Sequence, residues 1–318
     1  MKTTYAPEGS MLYLPENQEY ISSLSGLEKA FVENKTLEST VLLCDSALRL
    51  HVSLGDIRGI IEYDDSVFCR AGESIKEIAV ITRVGKPVAF KIKEFRKEYG
   101  KTVAILSRRA AQEECQKHFL ATLSIGDIIP AKVTHLENFG AFVDVGCGLS
   151  SLLTVDNISV SRISHPSDRL SVGDEIYVVV KSRDEASGRI YVSMKELLGT
   201  WQENADLFEV GQTVSGIIRS VEDYGVFVEL APNLAGLAEI REDTKDREIA
   251  KVGSTAAVYI KSIIPDKMKI KLILIDSYKG AIPDKKPRYF INCKTSDHIS
   301  HWKYSPPFSS KTVESIFE

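Results

Sequence analysis

The stretch IGDIIPAKVTHLENFGAFVDVGCGLSSLL, at residues 125–153, has a second copy later in the same chain. That copy, VGQTVSGIIRSVEDYGVFVELAPNLAGLA, occupies residues 210–238 and aligns with the first without a gap. The closing parts also match, because YVVVKSRDEASGRIYVSMK from Tyr177 resembles AVYIKSIIPDKMKIKLILI from Ala257. A repeat of this kind indicates a chain built from copies of one small structural unit.

The pattern within each copy is that of a small β unit. Short runs rich in β-branched residues alternate with Gly, Asp, Asn and Pro, which is typical of strands separated by turns. A unit of about five short strands without a long helix removes its free edges best by closing into a barrel.

Alternation along one strand predicts which side chains face the barrel interior. In the first copy Ala141, Val143 and Val145 should point inward, and Phe142 and Asp144 should point to solvent. The second copy repeats this pattern. Its inward residues are Val226, Val228 and Leu230, and its outward residues are Phe227 and Glu229. Both copies therefore place a phenylalanine among acidic residues on the solvent side.

A third, weaker copy precedes these two. Residues 50–61, LHVSLGDIRGII, resemble FVDVGCGLSSLL, and a hairpin is predicted over residues 87–107. At the two aromatic positions of the other copies this unit has Leu48 and His51. It keeps the fold pattern without the aromatic pair, so we expect it to contribute little to any binding by stacking and to dock on a protein partner instead.

Composition narrows the class of protein. The 318 residues are 43% hydrophobic and 26% charged, which is typical of a soluble globular protein. The formal net charge of −4 means that any nucleic-acid binding must rely on local patches and stacking.

The N-terminus lacks a signal-peptide pattern, and no apolar run approaches the ~18 residues of a membrane span. We therefore expect a cytoplasmic protein.

Cysteine and histidine spacing indicates no metal site. The odd number of cysteines and the absence of CxxC spacing predict free, mostly buried thiols rather than disulfides or structural zinc. No metal-ligand spacing occurs among the cysteines and histidines Cys44, Cys69, Cys115, Cys147, Cys293, His118, His135 and His165. The chain also shows no phosphate-binding glycine loop, no nucleophile triad and no paired-carboxylate motif. We expect no metal, no cofactor, no catalytic residue and no enzymatic activity.

Four short motifs carry a family resemblance. They are FGAFVD at 139–144, HPSD at 165–168, VGDE at 172–175 and GRI at 188–190. Together they resemble the S-one RNA-binding domain, a family named after ribosomal protein S-one, whose fold is a five-stranded OB-type barrel. The layout of the whole chain resembles the short clostridial-type forms of that ribosomal protein.

The resemblance implies an all-β protein of tandem five-stranded OB-fold barrels joined by short helical linkers. The expected segments are a partly helical N-terminal segment (1–39), a degenerate barrel (40–108), a helical linker (109–123), a barrel (124–196), a second helical linker (197–208), a third barrel (209–277) and a basic, aromatic C-terminal tail (278–318). For the tail, two roles stay open, a strand packed on the last barrel and a second RNA site, and we expect the strand.

The resemblance also implies an RNA-binding face. The family uses two early aromatics, a histidine on the third strand, and an Asp and an Arg near the last hairpin. Carried over, these positions are Phe139, Phe142, Asp184 and Arg189 in the second barrel, and Tyr224, Phe227 and Lys269 in the third. Lys181 and Lys261 are additional candidates. The histidine position holds Thr154 and Glu239, and the third barrel has Ile264 at the aspartate position, which predicts a poorer site there.

Phe139 and Phe142 pose a geometric problem, because residues three apart face opposite sides of a regular strand. Either Phe139 is a core residue, or a bulge at Gly140 brings both rings to one face. We expect the bulge, since the second copy has Gly225 at the same position. The neighbouring acids Glu137, Asp144, Glu222 and Glu229 should weaken contact with phosphate.

The leading interpretation is a monomeric protein that binds single-stranded mRNA and associates with the small ribosomal subunit in translation. The alternative is a regulatory or adaptor protein that binds RNA outside the ribosome. An RNA-processing nuclease would need a separate catalytic domain, for which residues 40–277 leave no room.

Overall fold

The structure, a computed structural model, describes residues 5–70, 72–239, 250–278 and 287–317. Strands dominate, and three closed five-stranded barrels follow one another along the described part of the chain. The predicted fold class is therefore confirmed, including the helical linkers between barrels.

The N-terminal segment and the first barrel contain three helices and five strands. They are α1 (Pro15–Ile21), α2 (Leu24–Val32), β1 (Leu37–Cys44), β2 (Leu50–Leu54), β3 (Ile57–Ile61), α3 (Glu77–Ile81), β4 (Pro87–Glu98) and β5 (Lys101–Ser107). The strand order is β1-β2-β3-β5-β4 around the barrel. Residues 50–61, the stretch of the weak third copy, therefore form strands β2 and β3 of this barrel.

The second barrel follows a linker helix. Its elements are α4 (Arg108–His118), β6 (Ile128–Glu137), β7 (Gly140–Asp144), β8 (Ser150–Thr154), α5 (Val155–Ile158), β9 (Glu175–Asp184) and β10 (Arg189–Ser193). The order β10-β8-β7-β6-β9 is closed, with β10 parallel to β8 and the other pairs antiparallel. This is the connectivity of the first barrel.

The third barrel repeats the same connectivity, and a small sheet follows it. The elements are α6 (Trp201–Ala205), β11 (Thr213–Glu222), β12 (Gly225–Ala231), β13 (Leu234–Glu239), β14 (Thr255–Ile264), β15 (Lys269–Tyr278), β16 (His301–Lys303) and β17 (Glu314–Ile316). Single-turn 3-10 helices occur at Tyr63–Asp65, Leu120–Thr122, Pro166–Asp168, Lys195–Leu198 and Pro265–Lys267.

A β-bulge recurs at one place in the first strand of every barrel. Register shifts fall between Val41 and Leu43, between Val133 and His135, and between Ile218 and Ser220, so one residue stands unpaired each time. A bulge bends a strand and increases its twist. The first strand can therefore pair with the second strand at one end and with the fourth strand at the other.

The cores confirm most of the predicted alternation. Ala141, Val143 and Val145 are buried, and so are Val226 and Val228, while Leu230 is half-buried. The prediction was wrong for two acids, because Asp144 and Glu229 are buried rather than solvent-facing. Asp144 accepts hydrogen bonds from the backbone N–H groups of Glu8, Gly146 and Gly148. Glu229 pairs with the guanidinium groups of Arg169 and Arg219. A buried carboxylate is tolerated where such donors satisfy it.

The C-terminal tail contacts two barrels rather than one. Trp302, Tyr304 and Phe317 are buried in a cluster that includes third-barrel strands together with Ile128 and Val179 of the second barrel. Backbone hydrogen bonds join Ile128 N to Asp297 O and Trp201 N to Tyr304 O. The expectation of a strand packed on the last barrel is therefore incomplete, because the tail fills the joint between the second and third barrels. The basic residues Lys285 and Lys286 lie outside the described residues.

Two kinds of feature are absent from the described residues. Within the described ranges, no helix has the length and apolarity needed to cross a membrane. Over the same part of the chain, no group of three or more His, Cys, Asp or Glu side chains is placed to hold a metal ion.

Candidate nucleic-acid interface

Two aromatic rings meet on the outside of the second barrel. Phe139 lies in the two-residue turn between β6 and β7, and Phe142 lies on β7. Their ring centroids are 6.0 Å apart and the planes are nearly perpendicular, at 89°. Phe139 is 55% exposed and Phe142 is half-buried. We call this pair the aromatic platform.

The predicted bulge at Gly140 is wrong, although the rings do share a face. Gly140 pairs regularly with Glu137 on β6 and with Thr154 on β8, and the bulge lies at Thr134 on the neighbouring strand. Phe139 reaches the outer face because it belongs to the turn, where the alternation of a strand does not apply.

The glycine is required for a different reason. A Cβ at Gly140 would lie 2.5 Å from the carbonyl oxygen of Leu153, and a Cβ at Gly225 would lie 2.7 Å from that of Ala238. Glycine at these positions therefore lets the second and third strands of the barrel approach each other closely.

A continuous row of outward side chains extends the platform across the barrel. Strand register places His135 beside Phe142, Phe142 beside Leu152, and Leu152 beside Tyr191. The His135 ring stacks on Phe142 with centroids 6.3 Å apart and planes 26° apart. Tyr191 remains 37% exposed. This row is wider than the predicted pair of rings.

Sequence reasoning missed His135, Leu152 and Tyr191 as members of this face. One signal was available, because Tyr191 lies two residues after the candidate Arg189 and period-two alternation puts both on one side of β10. The position of His135 depends on the bulge at Thr134, which nothing in the sequence marked.

Arg189 and Asp184 lie at the β9–β10 hairpin as predicted, but both have partners within the protein. The Arg189 guanidinium pairs with the Glu73 carboxylate of the first barrel. Asp184 accepts hydrogen bonds from the Ser187 hydroxyl (2.5 Å) and the Ala186 backbone N–H (3.1 Å). These bonds, the Ser187 bond foremost, lower the pKa of Asp184. Asp184 therefore shapes the hairpin that presents Arg189.

Lys181 and Lys261 occupy equivalent bulges on the fourth strand of their barrels. Each of these lysines is the unpaired residue at a register shift, and Lys93 is the unpaired residue at the corresponding shift of the first barrel. Lys181 Nζ donates to Asn157 Oδ1 at 2.8 Å, and Lys93 Nζ lies 2.6 Å from Asp65 Oδ2. In these two barrels the lysine thus fastens the short helix after the third strand. Lys261 is exposed.

The third barrel repeats the ring pair with weaker surroundings. Tyr224 and Phe227 have centroids 6.2 Å apart at 89°, and Tyr224 is 63% exposed. Lys269 is exposed at the start of β15. In the outward row, Ser220 and Lys271 stand where the second barrel has His135 and Tyr191. This face therefore offers less stacking surface.

The position of the family histidine is spatially equivalent in the two barrels. Thr154 pairs with Gly140, and Glu239 pairs with Gly225. The Thr154 hydroxyl accepts a hydrogen bond from the Asn157 amide at 2.7 Å, and Glu239 pairs with Lys271 at 3.4 Å. Neither residue offers an imidazole ring for stacking.

Of the four acids expected beside the rings, only two face solvent. Glu137 and Glu222 are exposed, whereas Asp144 and Glu229 are buried in ion or hydrogen-bond networks. Glu137 Oε1 lies 2.7 Å from His135 Nε2. The electrostatic repulsion of phosphate at this face is therefore smaller than the sequence suggested.

The first barrel lacks the aromatic platform, as predicted. Its outward row runs through Leu43, His51, Ile60 and Ile105. Ile60 and Ile105 are buried, and His51 Nε2 lies 3.0 Å from Asp45 Oδ2. This row offers no phenylalanine or tyrosine for stacking a base.

Comparisons with known proteins agree with this geometry. Residues 122–195, which span the second barrel, match the family described as the S1 RNA binding domain. The small ribosomal subunit protein bS1 of Leuconostoc lactis is 35% identical over 178 residues, which cover 53% of this chain and 41% of that protein. The bS1 protein of Staphylococcus epidermidis is 34% identical over 209 residues, covering 63% of this chain and 52% of that protein. The chain thus spans about half the length of the curated relatives it matches.

A local likeness to a solved structure also exists. The solution structure of GSP13 from Bacillus subtilis aligns with a TM-score of 0.22 and 31% identity, over 23% of this chain and 57% of that one.

The four sequence motifs of the second barrel lie within the residues that match the family model, and both point to the same domain family. Residues 122–195 thus match the S1 RNA-binding domain family, as their motifs predicted, and the chain is similar to ribosomal bS1 proteins over more than half of its length.

Proposed function

We propose that this protein binds single-stranded RNA, mRNA in particular, on the outer faces of its second and third barrels. The observation that carries the proposal is the pair of edge-to-face rings that recurs at the same place on two barrels, Phe139 with Phe142 and Tyr224 with Phe227. Exposed rings bind the flat face of any base, and each stacked base contributes about 1–3 kcal/mol.

The basic residues of the second barrel support the same function. Arg189 lies at the end of β10 next to the outward row, where a guanidinium can reach phosphate or stack on a base. Lys269 holds the corresponding position in the third barrel. The roles of Asp184, Lys181 and Lys261 in binding RNA stay part of the proposal, although Asp184 and Lys181 also serve the barrel itself.

We further propose that the protein works with the small ribosomal subunit in the cytoplasm. The support is its similarity to proteins named small ribosomal subunit protein bS1. The competing function is that of an RNA-binding regulatory or adaptor protein outside the ribosome. The seven predicted segments remain the proposed domain organisation, and a monomer is the proposed state.

One set of experiments tests these statements. The purified protein should retard a short unstructured RNA in a gel while the length of that RNA stays unchanged, which is binding without turnover. It should sediment with isolated small subunits and remain in the supernatant without them. Retardation of RNA without cosedimentation would favour the adaptor function, and failure to retard RNA would contradict the proposal.

A further inference from the structure

A groove separates the first and second barrels beside the aromatic platform. Its volume is about 460 Å³, and its second-barrel wall is formed by Phe142, Leu152 and Tyr191 of the outward row. The first-barrel wall is formed by Phe68, Arg70 and Arg83. The groove therefore continues the platform, and its volume lies within the range of sites for small ligands, roughly 300–1,000 Å³.

The first-barrel wall carries guanidinium groups that the protein itself does not fully use. Arg70 Nε donates to the Ser187 carbonyl at 2.7 Å, and its guanidinium lies 5.9 Å from the centroid of the Phe68 ring. Among the described residues Arg70 forms no salt bridge within 4.0 Å. Arg83 Nε is buried without a hydrogen-bond partner in that part of the chain. Arg70, which is partly exposed and lines the groove, is the donor suited to an incoming anion, whereas Arg83 Nη1 already lies 3.8 Å from the buried Glu8 carboxylate.

One carboxylate already occupies part of this region. Glu73, from the same first-barrel segment as Arg70, pairs with Arg189 of the second barrel. Both side chains are substantially exposed, at 40% and 48%. An exposed pair of this kind contributes about 0–1 kcal/mol, so an arriving phosphate can displace the carboxylate.

We propose that this groove is a nucleotide subsite, which rests on the proposed function of binding single-stranded RNA. The strand leaves the platform at Phe142, and its next phosphate is held by Arg70 and Arg189 after the Glu73 carboxylate has moved aside. Guanidinium groups suit this task because their planar donors bind phosphate oxygens in pairs. The first barrel then contributes directly to the RNA site of the second barrel.

The first barrel therefore has a role that the sequence did not predict. The absence of an aromatic pair predicted little contribution to RNA binding. The platform position is indeed empty of phenylalanine and tyrosine, but the segment after β3 brings Phe68 and Arg70 to the neighbouring barrel.

The test compares five variants of the full chain with wild type by titration of a short labelled oligouridine at several salt concentrations. Arg70→Ala should weaken binding about three- to ten-fold and make the log–log salt slope shallower by about 0.7, the value for one phosphate on a single strand. Glu73→Gln should tighten binding about two- to five-fold, because Arg189 loses its internal competitor. The matched controls are Arg96→Ala and Glu94→Gln, a similarly exposed pair on the first barrel, which should bind as wild type.

Each outcome separates the subsite from the proposed function. Phe142→Ala, checked for folding by its melting temperature, serves as the reference. Wild-type affinity in Arg70→Ala, with weakened binding in Phe142→Ala, would overturn the subsite alone. Weaker binding of Arg70→Ala with an unchanged salt slope would also overturn it, since Arg70 would then act without neutralising phosphate. Weaker binding of Glu73→Gln would overturn the displacement. Unchanged affinity in both Phe142→Ala and Arg70→Ala would contradict RNA binding at this face.

Discussion

The Arg108 guanidinium holds the Glu8 carboxylate with two hydrogen bonds, of 2.6 and 3.0 Å, across 100 positions of sequence. Both side chains are buried, and Glu8 also accepts from the backbone N–H of Ala89 while its own N–H donates to Asp144. The N-terminal segment, the first barrel and the second barrel meet at this pair.

Removal of the arginine should loosen that junction. Arg108→Ala leaves the Glu8 carboxylate buried without its principal cation, which costs about 3–5 kcal/mol for a pair of this kind. The adjacent Arg109 is 44% exposed and pairs only at 3.6 and 3.7 Å. Arg109→Ala should change stability by less than about 1 kcal/mol. Chemical denaturation of both variants measures the difference, and equal stabilities would show that the buried pair does not secure the junction.

The same junction should make stability depend on pH. Burial raises the pKa of Glu38 to about 7, and the charges of Glu8 and Asp144 add to the effect, against hydrogen bonds from Met11 and Gly9. Burial, with the charge of Glu8 next, also raises the pKa of Asp144. The folded state therefore binds more protons than the unfolded state between about pH 4.5 and 7, so stability falls as pH rises through that window.

Glu38→Gln tests this because glutamine cannot ionise. The side-chain carbonyl of the introduced glutamine retains an acceptor for the Gly9 and Met11 N–H groups, which now bond Glu38 Oε2. We expect the decline in melting temperature from pH 5 to pH 8 to become shallower, by an amount equivalent to about 1–3 kcal/mol. The control is Glu94→Gln, which removes a carboxylate from an exposed ion pair. A profile identical to wild type would mean that Glu38 does not titrate in this window.

The aromatic platform should separate affinity from stability. Phe142→Ala removes a stacking ring from the outside of the barrel, and RNA affinity should fall by about 1–3 kcal/mol. Stability should fall by about 1 kcal/mol or less, against about 3–5 kcal/mol for a fully buried ring such as Phe90. Phe308→Ala, at a ring 86% exposed in the tail, is the affinity control. A folded Phe142→Ala protein with wild-type affinity would rule the platform out.

The third barrel should contribute less. Phe227→Ala removes the equivalent ring, but Ser220 and Lys271 replace the neighbouring histidine and tyrosine of the second barrel. We expect a smaller loss of RNA affinity than for Phe142→Ala, measured in the same titration. A larger loss would reverse the ranking of the two faces.

Salt should affect binding only moderately. With a net charge of −4 and few basic residues on each face, we expect about 2–4 phosphates to be neutralised. The slope of log affinity against log salt should then be about −1.5 to −3, at about −0.7 per phosphate. A titration series in potassium chloride measures it, and a slope near −6 would reveal a much larger basic surface.

The sequence alone determined the architecture and the positions of the ring pairs. Strand alternation, turn residues and the internal repeat are local signals, because each depends on neighbours within a few positions. They sufficed to place Ala141 and Val143 inside the barrel, to identify three copies of the unit, and to locate Phe142 and Phe227 at equivalent positions on two barrels.

Only the tertiary structure decided which polar residues face water and what surrounds the platform. Asp144 and Glu229 continue the outward alternation of their strands, yet they are buried, because donors from Glu8 and Arg169 arrive from distant segments. Nothing near Asp144 in the sequence announces them. The approach of Arg70 to the second barrel arises in the same way, since the packing of whole barrels against one another sets which remote side chains become neighbours.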